Sequence, residues 1–238
     1  MSPAERTRRA SRRPPRRVVA LVPALNEEET VGRTVKALSV LDAITEVVVI
    51  DDGSWDRTAG EASEAGARVL RSTRNLGKGL ALDGALARVV PADIYLFIDA
   101  DVGETAREAG ALVAPVLTGE LDLAVGTLPT RSGGGFGLVR GTAAWMIARV
   151  GAFRPGAPLS GQRAVRRETL EACRPLAGGF GVETAMTMDA VRLGYRVGEV
   201  QVGMTHRATG RGLAGFGHRG RQGWDILQAG LPRLAGLR

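Results

Sequence analysis

The chain has 238 residues and a hydrophobic fraction of 44%, enough apolar surface for the core of one large α/β domain. Cys173 is its single cysteine, which excludes an intrachain disulfide and leaves a cysteine-based zinc site without partners. The formal net charge of +7 is concentrated in residues 1–17, where seven arginines face one acid, Glu5. That distribution, with 4% aromatic residues, argues against a nucleic-acid-binding module.

The arginine-rich arm also carries Pro3, Pro14 and Pro15 and reads as a disordered tail, open to solvent, to an anionic membrane surface or to an acidic partner. From Val18 the pattern changes. Val18–Val22, Val47–Ile50, Val69–Leu70 and Ile94–Ile98 are short β-branched or apolar runs, read as buried strands. Between the first two, Val31, Val35 and Leu38 recur on one helical face, with Asn26 as the expected N-cap and Glu29 three residues on. A second helix is expected from Asp56 or Thr58 to Gly66, and a third from Gly79 to Val90, ended by Pro91. This alternation predicts a mostly parallel central sheet with helices on both faces.

After a further strand at Leu121–Val125, the glycine-rich stretch Thr127–Pro158 is expected to be a loop containing one helix near Leu138–Val150. Val197–Val202 reads as another strand. The end, Arg219–Arg238, is basic and partly amphipathic, as for a helix packed on the domain or a partner subunit, or one lying on a membrane. No run of eighteen uncharged apolar residues occurs, and no apolar run follows the N-terminal charges. A cytoplasmic protein is therefore expected.

Three polar clusters follow three of the strands and should share the carboxyl edge of the sheet: Pro23-Ala24-Leu25-Asn26-Glu27, Asp51-Asp52-Gly53-Ser54 and Asp99-Ala100-Asp101. Two carboxylates after a buried strand suit Mg²⁺ or Mn²⁺ held against a diphosphate, and equally a solvated turn or helix cap. The Asp51-Asp52 pair reads as carboxylates for a base or ribose, or as ordinary turn residues. Lys78, one of two lysines in an arginine-rich chain, sits on a glycine-flanked turn where an ammonium suits phosphate or a base carbonyl. Two G-x-G-x-x-G matches, Gly210–Gly215 and Gly215–Gly220, open no β-α-β unit and carry no dinucleotide site.

Taken together, Val-Pro-Ala-Leu-Asn-Glu-Glu, Val-Ile-Asp-Asp-Gly-Ser, Asn-Leu-Gly-Lys-Gly and Asp-Ala-Asp stand in the order and spacing of the GT-A glycosyltransferases, which the chain resembles from residue 18 to about 210. The C-terminal half is most similar to the glucosyl-3-phosphoglycerate synthases, through Leu159–Arg167, Gly179–Glu183 and His206-Arg207. The resemblance implies the GT-A nucleotide-diphospho-sugar transferase fold over residues 18–210, between a basic arm of residues 1–17 and a C-terminal segment of residues 211–238. It implies that Pro23, Ala24, Leu25, Asn26, Glu27, Asp51, Asp52 and Lys78 contact the nucleotide, and that Asp99 and Ala100 lie beside the diphosphate-sugar. Phe180, Gly181, Val182 and Glu183 would complete the donor site, with Glu183 and Asp99 as the catalytic candidates. Asp101 and His206 would ligate Mg²⁺ or Mn²⁺.

Gly134, Gly135 and Arg163 are the acceptor candidates. There the chain departs from the family: the glycine-rich loop runs on as Gly135-Phe136-Gly137-Leu138-Val139, without the family's Arg-Val-Thr, and Ala208 replaces an asparagine. The expected activity is metal-dependent transfer of a sugar from a UDP-glucose type donor to a small anionic, phosphoglycerate-like acceptor. A polyprenyl phosphate acceptor at the inner membrane face, a homodimer, and a non-catalytic nucleotide-sugar or nucleic-acid-binding protein are the alternatives.

Overall fold

The computed structural model describes residues 17–129, 137–206 and 214–236. Most of the arginine arm, the acceptor candidates Gly134 and Gly135, and the segment from Arg207 to Leu213 lie outside the described residues.

Seven strands form one sheet: β1 (Val18–Ala24), β2 (Glu46–Asp51), β3 (Arg68–Arg71), β4 (Ile94–Phe97), β5 (Leu123–Thr127), β6 (Arg163–Arg166) and β7 (Val197–Gln201), in the order β3-β2-β1-β4-β6-β5-β7. All neighbours are parallel except β6, which runs antiparallel to both β4 and β5. The expected GT-A type sheet is present, and the chain winds outward from β1 to β3 before returning to β4 on the other side of β1. That reversal lies between β1 and β4, and ligands of such sheets bind outside the carboxyl ends of the strands at such a point.

β1 is apolar along its length because both faces are covered. Val18, Ala20 and Val22 join one buried cluster with Val35, Leu38 and Leu112. Val19 and Leu21 join the other with Ile50, Leu82 and Phe97. Each of the larger side chains contributes about 1.5–3 kcal/mol by leaving water.

The crossover helices are α1 (Val31–Ser39), α2 (Thr58–Glu64) and α3 (Lys78–Leu86). Asp56 Oδ1 accepts from the Thr58 N–H at 2.9 Å, so the expected carboxylate at the start of α2 is in place. Asn26 does not cap α1, which begins after Thr30. Asn26 instead takes a left-handed φ of 56°, a conformation its short polar side chain tolerates. Its N–H donates to Ser54 Oγ at 2.9 Å and its Oδ1 accepts from the Trp55 N–H at 3.1 Å. The residue ties two edge loops together, and no cap geometry is left for it.

Several elements lack a sequence signal: a 3-10 segment at Ala100–Ala109 running into α4 (Gly110–Leu117), the strand β6, and the short helix α6 (Arg167–Ala172). α5 (Gly137–Val150) matches the helix expected in the glycine-rich stretch, and α7 (Val182–Arg192) follows a 3-10 turn at Gly179–Gly181. The last helix, α8 (Ala214–Leu234), packs on the domain: Ile226, Ala229 and Arg233 are buried. Arg233 donates to both carboxylate oxygens of Asp189 on α7 at 2.7–2.9 Å. No described helix is long and apolar enough to cross a membrane.

Candidate active site

Asp99 follows β4 by two residues, and its carboxylate is held on both sides. Lys78 Nζ lies 2.7 Å from Oδ1, and Gln162 Nε2 donates to Oδ2 at 2.7 Å. Lys78 also reaches Glu183 Oε1 at 2.6 Å, so one ammonium bridges the two catalytic candidates. Burial alone would pull the Lys78 ammonium down, but the charges of Asp99 and Glu183 outweigh it and hold it well above the ordinary lysine value. Burial would raise the Asp99 carboxyl; the Lys78 charge and hydrogen bond, with His206 and Gln162 behind them, hold it below the usual carboxylate range.

Lys78 is placed by a loop that Asp52 holds. The Leu76 and Gly77 N–H groups donate to Asp52 Oδ1 and Oδ2, both at 2.8 Å, and Gly77 has a φ of 85° that favours glycine at the entry to α3. Asp52, expected at the nucleotide, therefore spends both oxygens on protein N–H groups. Asp51 is also buried: Oδ1 accepts from the Ser54 N–H at 2.8 Å, and Oδ2 lies 3.1 Å from Arg71 Nε. A recess of about 460 Å³, lined by Gly53, Ser54, Arg71, Ser72 and Thr73, opens beside this pair. Pro23, Asn26 and Glu27 are half-buried at the end of β1, Leu25 is exposed, and Ala24 and Ala100 are buried.

Asp101 and His206 meet directly, His206 Nδ1 lying 2.8 Å from Asp101 Oδ1. Ligand atoms of Asp99, Asp101 and His206 all lie within 4.8 Å of one another. Two carboxylates and an imidazole form an oxygen-rich donor set that fits Mn²⁺ or Mg²⁺, with room for diphosphate oxygens to complete the coordination. The turn bearing Asp101 is pinned by buried Thr34 of α1, whose hydroxyl donates to the Ala100 carbonyl at 2.8 Å and accepts from the Gly103 N–H at 2.9 Å. The segment bearing His206 is tied to the same turn through Thr205 N–H to Thr105 Oγ1, 3.2 Å. The hydrogen bond to Asp101 is the main cause that raises the His206 imidazole above its ordinary value.

Glu183 stands in the first turn of α7 and is buried. The turn before it is braced from α8, where Asp225 Oδ2 accepts from the Phe180 N–H at 3.0 Å. Side chains at Gly179 or Gly181 would collide with Asp225. Phe180 is half-buried, while Gly181 and Val182 are buried at the start of the helix.

Arg163, the remaining acceptor candidate, spends its guanidinium on protein groups. It is 1% exposed, and its guanidinium donates to the Ser160 carbonyl at 2.6 Å, the Glu183 carbonyl at 2.8 Å, Thr187 Oγ1 at 2.7 Å and the Pro158 carbonyl at 3.3 Å. Burial draws it down to about 10. Its place is beneath Glu183, where it holds the start of α7. Gln162 lies within the matching segment Leu159–Arg167 but carried no assigned role there, and Thr34 and Asp225 had no motif to mark them; the part each plays is visible only from the groups it touches.

Residues 19–178 match the family described as Glycosyl transferase family 2. The glucosyl-3-phosphoglycerate synthase of Mycolicibacterium paratuberculosis is 35% identical over 233 residues, covering 87% of this chain and 70% of that protein. The crystal structure of glucosyl-3-phosphoglycerate synthase from Mycobacterium tuberculosis with Mn²⁺, uridine-diphosphate-glucose and phosphoglyceric acid superposes with a TM-score of 0.76 at 30% identity, covering 92% of this chain and 80% of that one. The undecaprenyl-phosphate mannosyltransferase of Micrococcus luteus is 29% identical over 93% of this chain and 98% of that protein. With the nucleotide-sugar fold, the carboxylate and imidazole cluster and these relatives in agreement, the chain belongs to glycosyl transferase family 2 and is a glycosyltransferase.

Proposed function

We propose that the protein transfers a hexose from a UDP-sugar to a small anionic acceptor of the phosphoglycerate kind, in the cytoplasm, using Mg²⁺ or Mn²⁺. The observation that carries this reading is the convergence of Asp99, Asp101 and His206 within 4.8 Å beside the Lys78–Glu183 pair. Asp101 and His206 would hold the cation, which when bound supplies charge neutralisation for the leaving nucleoside diphosphate. Asp99 and Glu183, fixed by one lysine, present carboxylates toward the donor sugar, where they accept hydrogen bonds from its hydroxyls. The backbone from Pro23 to Glu27 and the recess beside Asp51 and Asp52 take the nucleoside.

Calorimetric titration of UDP with and without Mn²⁺, with GDP as control, tests the donor site in wild type and Asp101→Ala. Metal-dependent UDP binding that is lost in the variant is the expected result. Absence of UDP binding under every metal condition would sink the reading.

A second acceptor, a polyprenyl phosphate at a membrane surface, is favoured by one observation. α5 carries Leu138 and Trp145, 88% and 55% exposed, beside a recess of about 480 Å³, with Arg140 and Arg149 and no acidic residue. Co-sedimentation with vesicles of anionic phospholipid, and transfer assays with undecaprenyl phosphate against 3-phosphoglycerate, separate the two acceptors.

A further inference from the structure

The geometry points to Gln162 as the positioning residue of Asp99, a role that rests on the donor-site reading above. β6 runs antiparallel to β4, with Phe97 opposite Arg163, so the residue entering β6 comes beside the residues leaving β4. Gln162 is fully buried there. Its amide contacts Asp99 twice: Nε2 donates to Oδ2 at 2.7 Å, and Oε1 accepts from the Asp99 backbone N–H at 3.1 Å. The second contact fixes which end of the amide faces the carboxylate, so the group beside Oδ2 is always a donor.

The neighbouring residues fix the backbone from which the amide extends. The Gln162 carbonyl accepts from the Gly126 N–H of β5 at 2.8 Å, and a side chain at Gly126 would crowd Gln162 Cβ at 3.1 Å. Gly161 closes the clamp, because a Cβ there would fall 2.8 Å from Asp99 Cγ. With Oδ2 held by Gln162, Oδ1 is left for Lys78, and the carboxylate stays turned toward the Asp101–His206 pair. Gln162 acts through Asp99 and needs no contact with donor or acceptor.

Glutamate at 162 is isosteric but cannot donate, and sets one carboxylate against another; leucine keeps the volume and removes both contacts. The full-length chain and its Gln162→Glu and Gln162→Leu variants are compared for turnover of UDP-glucose with 3-phosphoglycerate, for thermal midpoint, and by crystallography. Both variants are expected to lose kcat by about tenfold or more with donor KM within about threefold, the pattern of a lost transition-state contact. Their thermal midpoints should fall by no more than about 10 °C, the range for stranding one buried hydrogen-bonding group in a domain of this size, and Asp99 should be rotated off Lys78 in their crystal structures. Unchanged kcat, a kcat loss accompanied by a collapsed thermal midpoint, or Asp99 still seated on Lys78 in both variants would each overturn the proposal. If wild type itself turns over no donor, the functional reading fails separately, and the Asp99 orientation in the Gln162→Leu crystal still decides this one.

Discussion

Lys78 Nζ lies 2.6 Å from Glu183 Oε1, and through that contact the entry to α3 is locked to the entry to α7. The same ammonium neutralises Asp99, so its removal takes from two mostly buried carboxylates the counter-charge they share, leaving only the charges of Arg163 and His206 nearby. Lys78→Met is expected to lower unfolding stability by about 3 kcal/mol, the scale for breaking a buried pair from one side, and to abolish UDP binding. Urea denaturation reads the first effect and calorimetry the second. A variant as stable as wild type would show that Asp99 and Glu183 are solvated in the free protein.

His206→Ala removes the imidazole from the proposed cation site while leaving the sheet untouched. Mn²⁺ affinity in the presence of UDP, read by electron paramagnetic resonance of the free ion, should fall by roughly thirtyfold, about 2 kcal/mol. Equal affinity in variant and wild type would remove His206 from the ligand set.

Arg233 and Asp189 form a buried pair joined by three hydrogen bonds between α8 and α7. Arg233→Ala strands the carboxylate and should cost about 3–5 kcal/mol, whereas the double replacement Arg233→Met with Asp189→Leu should recover most of that loss. Thermal unfolding of the three variants checks it; failure of the double variant to recover would mean that the Arg233 bond to the Ala229 carbonyl is the larger contribution.

Asp122 carries the clearest acid dependence away from the site. Burial would raise its carboxyl, but hydrogen bonds from Arg196, at 2.8 and 2.9 Å, and the arginine charges of 196 and 166 hold it below the ordinary carboxylate value. A folded-state value lower than the unfolded one adds stability above the unfolded value, and that stability is lost as pH falls through the folded one. Arg196→Met should therefore weaken the protein at neutral pH and flatten the acid loss expected of wild type below about pH 4. Denaturant midpoints followed from neutral to acid pH give the comparison; parallel curves for the two proteins would refute it.

The apolar runs of β1, β2 and β4 determined by themselves that the sheet is mostly parallel with helices on both faces, because strands covered on both faces need no polar alternation. Placement of Asp51, Asp99 and Asp101 just after those strands likewise determined which edge carries the chemistry. Local pattern could not reach further. Arg163-Ala164-Val165-Arg166 is too short and too charged to read as a central strand, and it becomes one only because β4 and β5 both pair with it and α7 accepts the arginine. Asn26 has the composition of a cap and the position of a tie between loops; the choice was made by Ser54 and Trp55, which are adjacent only after folding. Gln162, Lys78 and Glu183 come from three separate segments, and the meeting of the first two at Asp99 and of Glu183 with Lys78 depends on contacts that no spacing along the chain encodes. Tertiary structure decided these roles because a buried polar group must find its partner across the fold or bear the full cost of leaving water.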